Sequence, residues 1–164
     1  MRRLTNFLLS ITMVAFVISC EKEENQILDY TNYPDYLILD SYQIENQENF
    51  ILLHNMTEFS ETYDTTSTMN HQLLIGQGDF ENKVAFAVIK KFNHVCNCPD
   101  MTIDSINLID KTLVFKYNLT GIENIGDVGC DMICKPNLLI LLHRDSFNSI
   151  EIYENNVLKK IMEK

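Results

Sequence analysis

From Asp35 onward the chain alternates short apolar runs with polar, turn-forming stretches. Apolar residues cluster at 36–39, 42–44 and 50–53, bounded by Asn, Asp and Gln, and runs this short and this rich in aromatic and branched residues predict strands. Behind them Met56, Phe59 and Tyr63 recur at three- and four-residue spacing, with Asn55 or Thr57 placed to cap and Glu58 and Glu61 in the first turns, which predicts the one long helix. Both acids are accounted for by the favourable dipole at a helix start. Residues 64–82 are polar and turn-rich, broken by Gly76 and Gly78. Strands are expected again at 84–92, 101–109, 112–119 and 137–143. A terminal hairpin is expected over 149–153 and 157–162, around Asn155-Asn156, a pair that tolerates the positive φ of a tight turn. Two strands, a helix and a succession of strands predict an α+β fold whose sheet is mainly antiparallel, a sandwich or half-barrel with one helix.

The first twenty residues have a different character. Arg2 and Arg3 precede a run from Phe7 to Ile18 that is apolar apart from Ser10 and Thr12, and small Ser19 stands before Cys20, in the manner of a signal peptide. That run is too short for a membrane-spanning helix, which needs about 17–25 residues. Val17-Ile18-Ser19-Cys20 resembles the lipobox of bacterial lipoproteins. The resemblance implies cleavage before Cys20, a diacylglycerol on its thiol and attachment to the outer membrane, on its periplasmic or its surface-exposed face. Acyl chains contribute about 0.8 kcal/mol per buried methylene, so a two- or three-chain anchor is stable. Cys20-Glu21-Lys22-Glu23-Glu24 also resembles the Lys-acidic-acidic export signal of surface-exposed lipoproteins, and serves equally as a solvated charged tether. The chain is thus expected to comprise a signal peptide (1–19), a lipidated N-terminus and tether (20–34) and one β-rich domain (35–164). Its length suits a single hydrophobic core.

Losing Arg2 and Arg3 takes the net charge from −10 to −12. With only Lys90-Lys91 and Lys159-Lys160 as basic clusters, the chain has no surface for nucleic acid. Membrane contact is left to the acyl chains.

Four further cysteines, Cys96, Cys98, Cys130 and Cys134, form an even set that an exported protein is expected to oxidise into two disulfides. If the strands at 84–92, 101–109 and 112–119 make a meander, the loops carrying Cys96 and Cys98 and carrying Cys130 and Cys134 leave the sheet at one end. Bridges across the two loops are then available, whereas Cys96 to Cys98 would close a strained small ring. Which cysteine joins which stays open. The alternative chemistry is metal binding by the four thiolates with His94, all soft ligands. Cys130 to Cys134 also resembles the C-x₃-C of copper-delivering thioredoxin-like proteins, which would imply thiol redox work.

Asp79-Phe80 ahead of the Val84-Ala85-Phe86-Ala87-Val88 strand, then a long hairpin and an apolar strand at 138–142, resembles small secreted β-rich domains of the protease-complex subunit type over residues 50–160. Where that group has a glycine-rich turn, this chain has His94-Val95-Cys96-Asn97-Cys98, and no functional residue carries over. Asp64-Thr65-Thr66, expected in an exposed loop, and Asp104-Ser105-Ile106 resemble an O-glycosylation acceptor. No G-x-S-x-G, H-E-x-x-H, phosphate loop or calcium loop is present. His54 and His143, at the ends of apolar runs, are expected to be structural. The sequence therefore predicts a non-catalytic, cofactor-free envelope module that meets an envelope protein or glycan through the disulfide-tied end of its sheet, where loops ride on a rigid scaffold. A metal or redox protein and a hydrolase are the rival classes.

Overall fold

Val84-Ala85-Phe86-Ala87-Val88-Ile89 and Leu138-Leu139-Ile140-Leu141-Leu142 are apolar at every position, and a strand of that kind has to be covered on both faces. The structure, a computed structural model, describes residues 26–28, 30–33, 36–68, 75–122 and 131–164. Its strands are β1 (Gln26–Ile27), β2 (Thr31–Asn32), β3 (Tyr36–Ile38) and β4 (Glu48–Leu53), then the helix α1 (Met56–Thr62) and β5 (Tyr63–Thr68). There follow β6 (Lys83–Lys90), β7 (Phe92–Val95), β8 (Asp100–Ile109), β9 (Thr112–Thr120), β10 (Met132–Cys134), β11 (Asn137–His143), β12 (Ser149–Glu154) and β13 (Val157–Glu163). The two continuous runs become β6 and β11, at the centre of an antiparallel sheet ordered β2-β11-β6-β4.

One face of that sheet, through Val84, Phe86, Val88, Leu138, Ile140 and Leu142, packs on a five-stranded sheet ordered β1-β8-β9-β12-β13. The second sheet answers with Ile106, Leu113, Phe115, Tyr117, Ile150 and Ile152. The other face offers small residues, Ala85 and Ala87, and the space they leave is filled by the rings of Tyr36, Phe59, Tyr63 and Phe80 from α1, the β3-β5 pair and a 3₁₀ turn. Phe59 stacks on Tyr63 at 5.0 Å and meets the edge of Tyr36 at 5.2 Å, as aromatic quadrupoles prefer. The fold is therefore mainly antiparallel β with one helix, layered as sheet, sheet and a helix-bearing cover.

The structure corrects several expectations. The helix has only seven residues, because Thr62-Tyr63-Asp64-Thr65-Thr66 favours extended backbone and the chain enters β5 directly. Its cap is Asn55, whose side chain accepts the Glu58 N–H while the Glu58 carboxylate accepts from His54 N–H. Asn55→Ala is expected to cost about 1 kcal/mol, read as a shifted urea midpoint at unchanged slope. Residues 42–44 are irregular rather than a strand. Asp64 and Thr65 stand in β5, not in a loop, and Asp104 lies at a break in register within β8.

The expected meander does not form. β9 alternates between buried and half-buried positions, and β8 between exposed and half-buried ones over its first six residues, as in a sheet with one solvated face. β6 is buried throughout and pairs with β11 and β4 instead. β12 then returns parallel to β9, with Ser149 opposite Thr112 and Glu154 opposite Tyr117. Nor is all of 20–34 a free tether. β1 pairs with β8, β2 pairs with β11, and Leu28 packs on the core, so this stretch stitches the two sheets along one side. On the opposite side β13 pairs only with β12 among the described residues, and a bulge at Ile152/Tyr153 and neighbouring lysines blunt that edge.

Candidate functional site

The cysteine end is built by two strand pairs that share one register. Asn137 stands opposite Ile89 in the β6-β11 ladder and Cys134 opposite Phe92 in the β7-β10 ladder, and Lys90 N–H donates to Pro136 O between them. Lys91 and Lys135 therefore oppose each other where the ladders meet. Just beyond, Cys98 and Cys134, 36 positions apart in sequence, are joined by a disulfide with Cα atoms 5.6 Å apart. The expected bridging across the two loops is thus present in this pair, although the two loops arise from different sheets. Cys96 is not a free thiol either. Cys20 and Cys130 lie outside the described residues.

Side chains from residues 37–44 and the lysine pair line an open cleft of about 460 Å³. Its walls are aliphatic at Leu37, Ile38, Ile44 and Ile133, and its polar groups are Asp40, Tyr42, Gln43, Lys91, Lys135 and Asn137. Lys135 is held by Leu39 O at 3.0 Å and faces the Asp40 carboxylate at 3.8 Å. Asn137 donates Nδ2–H to Tyr36 O at 3.2 Å, which fixes the amide, and leaves its buried Oδ1 with no hydrogen-bond donor among the described residues. Exposed apolar side chains stand at the same end: Leu37 (41%) and Ile133 (61%) line the cleft, and Met132 precedes Ile133 in β10.

Among the described residues His94 belongs to no group of side chains placed to hold a metal. Its Nδ1 faces Asp131 Oδ1 at 3.0 Å, with both side chains largely in solvent. Cys98 and Cys134, being bonded to each other, have no thiolate to offer a metal, and among the described residues no group of three or more His, Cys, Asp or Glu side chains is placed to hold one. His54 and His143 are exposed rather than structural in the core, since it is their backbone carbonyls that are used, by Arg144 and Ser146.

A second cluster lies between the sheets. The Lys90 ammonium, with its side chain 7% exposed, contacts Glu48 of β4 and Glu154 of β12 at 2.6 Å each. Tyr117 donates to Glu154 at 2.6 Å, and Lys159 approaches Glu154 at 3.6 Å. Burial, then the hydrogen bond to Glu154 and its charge, push the Tyr117 phenol far up. Burial alone would raise Glu154, but hydrogen bonds from Lys90 and Tyr117 and the charges of Lys90 and Lys159 outweigh it and hold the carboxyl below its ordinary value. The phenol stays protonated and the carboxylate ionised at neutral pH. This cluster ties sheet to sheet and is not tuned for proton transfer near neutrality.

Sequence reasoning found the cysteine end and missed the cleft. Lys91, Lys135 and Asn137 were legible only as residues flanking the two runs that pair as β6 and β11. The molecule is a layered, mainly antiparallel β domain with an aliphatic and cationic cleft at its disulfide-tied end. No family model, no curated protein and no solved structure matches the chain.

Proposed function

We propose that this protein is a lipid-anchored, non-catalytic binding domain of the bacterial cell envelope, held at the outer membrane through Cys20, and that its disulfide-tied end meets an envelope partner. The observation that carries this reading is the Cys98–Cys134 bridge. It suits an oxidising compartment, which is where the lipobox-like Val17-Ile18-Ser19-Cys20 would send the chain. It also fixes the cleft and its apolar rim on a rigid support. Cys96 and Cys130 complete the set as a second bridge in this reading, so the denatured domain without reductant exposes no thiol beyond Cys20, itself blocked by lipid. Four free thiols binding a stoichiometric metal would instead favour the metal reading.

Anchoring is tested by Cys20→Ser. The expected result is loss of the acyl-bearing mature form and transfer of the protein from the membrane to the soluble fraction on cell fractionation. Retention at the membrane would remove the anchor from the proposal. The recognition end is tested by a photocrosslinking residue at Ile133 in intact envelopes, which is expected to trap a discrete partner that the same residue at exposed Thr102 does not trap.

A further inference from the structure

The cleft between residues 39–44 and the β7-β10 pair carries an imbalance of charge and hydrogen bonding. Lys91 and Lys135 stand opposite each other in register, and like charges so placed repel. Among the described residues one carboxylate lies near the pair: Asp40, fully exposed and 3.8 Å from Lys135. Lys135 also has Leu39 O, whereas the Lys91 ammonium has no partner among the described residues. One positive charge in a strongly acidic chain is thus left facing the cleft. At the cleft floor Asn137 Oδ1 has no donor, and its amide cannot turn to find one without placing oxygen against Tyr36 O. The cleft walls are aliphatic, and a ligand reaches the buried Asn137 Oδ1 only if lining side chains move, the exposed Leu37 and Ile133 among them.

We propose that this cleft binds the carboxylate-bearing end of an extended apolar polypeptide. Lys91 takes the terminal carboxylate, Asn137 Oδ1 accepts a peptide N–H, and the aliphatic walls take the last side chain. The assignment rests on the disulfide-tied end being the recognition end and adds the chemistry of what it recognises. An aliphatic wall beside one cation and one orphaned acceptor fits an amide-bearing chain end better than a sugar, whose ring of hydroxyls needs many polar partners. Peptide capture by a terminal carboxylate is one of the recurrent recognition modes.

The test uses the purified full-length protein in detergent and a fluorescein-labelled peptide, Ala-Ala-Ala-Val-Leu with a free C-terminus, followed by anisotropy. Binding is expected, weakening with added salt, and the C-terminal amide of the same peptide is expected to bind at least ten-fold less tightly. Lys91→Met, a partly exposed position outside the core clusters, is expected to lose the same factor. Asn137→Leu is expected to weaken the acid and amide peptides alike, since it removes the acceptor and not the charge. Lys160→Met, on the far strand β13, should change nothing. Equal affinity for acid and amide, an unchanged Lys91→Met variant, or no binding at millimolar peptide would overturn the proposal. If crosslinking from Ile133 still traps a partner in those cases, the recognition end stands and the ligand class is what fails.

Discussion

Lys90→Ala is expected to destabilise the domain by about 3–5 kcal/mol, the scale for removing one partner of a buried ion pair. The ammonium sits 2.6 Å from both Glu48 and Glu154, and without it the two carboxylates share a half-buried space with Lys159 as the one cation left among the described residues, 3.6 Å from Glu154 and 3.9 Å from Glu48. Equilibrium urea unfolding reads the loss. Lys90→Met with Glu154→Gln should recover much of it, because the charge left unpaired by the first change is removed by the second; a double variant as weak as the single would show that packing, not charge, is at stake. The pH dependence has a defined sign. Glu154 is held below its ordinary value of 4.5, so its contribution is full above that pH and is lost as the pH falls through the lowered value. In Lys90→Ala the carboxylates gain from protonation instead. The stability gap between the two proteins should therefore narrow toward pH 3 and be widest near neutrality.

Removing the bridge by Cys98→Ser with Cys134→Ser is expected to cost about 4 kcal/mol in the chain-entropy account for a loop of this length. For a domain of this size that is a fall in Tm on the order of 15 °C. Both cysteines must be replaced together, since a lone thiol beside Cys96 is free to exchange. Reductant should lower the Tm of the unmodified protein by at least as much and leave the double variant less affected. A double variant with unaltered Tm would mean that the β7-β10 pair is held by its ladder alone.

The parts of the fold legible in the sequence are those set by local pattern. The Asn155-Asn156 hairpin is present with φ of 48° and 65°, and strands occupy the expected places from Phe50 to Leu53 and through the second half of the chain. What was not legible depends on partners distant in sequence. Val84 to Ile89 shows from its composition that it is a strand, but its neighbours are chosen by which other strand needs cover on both faces, and that is Leu138 to Leu142. The parallel placement of β12 beside β9 has no local signal, since nothing in Ser149–Glu154 marks the direction of its neighbour. The helix is shorter than its apolar spacing suggests, because Phe59 and Tyr63 keep helical spacing while the β-branched run beginning at Thr62 decides where it ends. At the cysteine end, residue type announced the bridging. The cleft beside it arises from a lysine pair brought together by register, and register is invisible until the partner strand is known.

Under the proposed anchoring through Cys20, the two short strands that stitch the sheets would also set the mechanics of attachment. Tension on the N-terminus would meet a two-residue ladder on β8 and then a second on β11, each held by few bonds. Peeling residues 26–33 would lengthen the leash by roughly 25–30 Å. The load would reach the buried β6-β11 pair only after that slack is spent. A domain held in this way can yield to a pull in small steps and settle back, with its cleft and its bridge undisturbed.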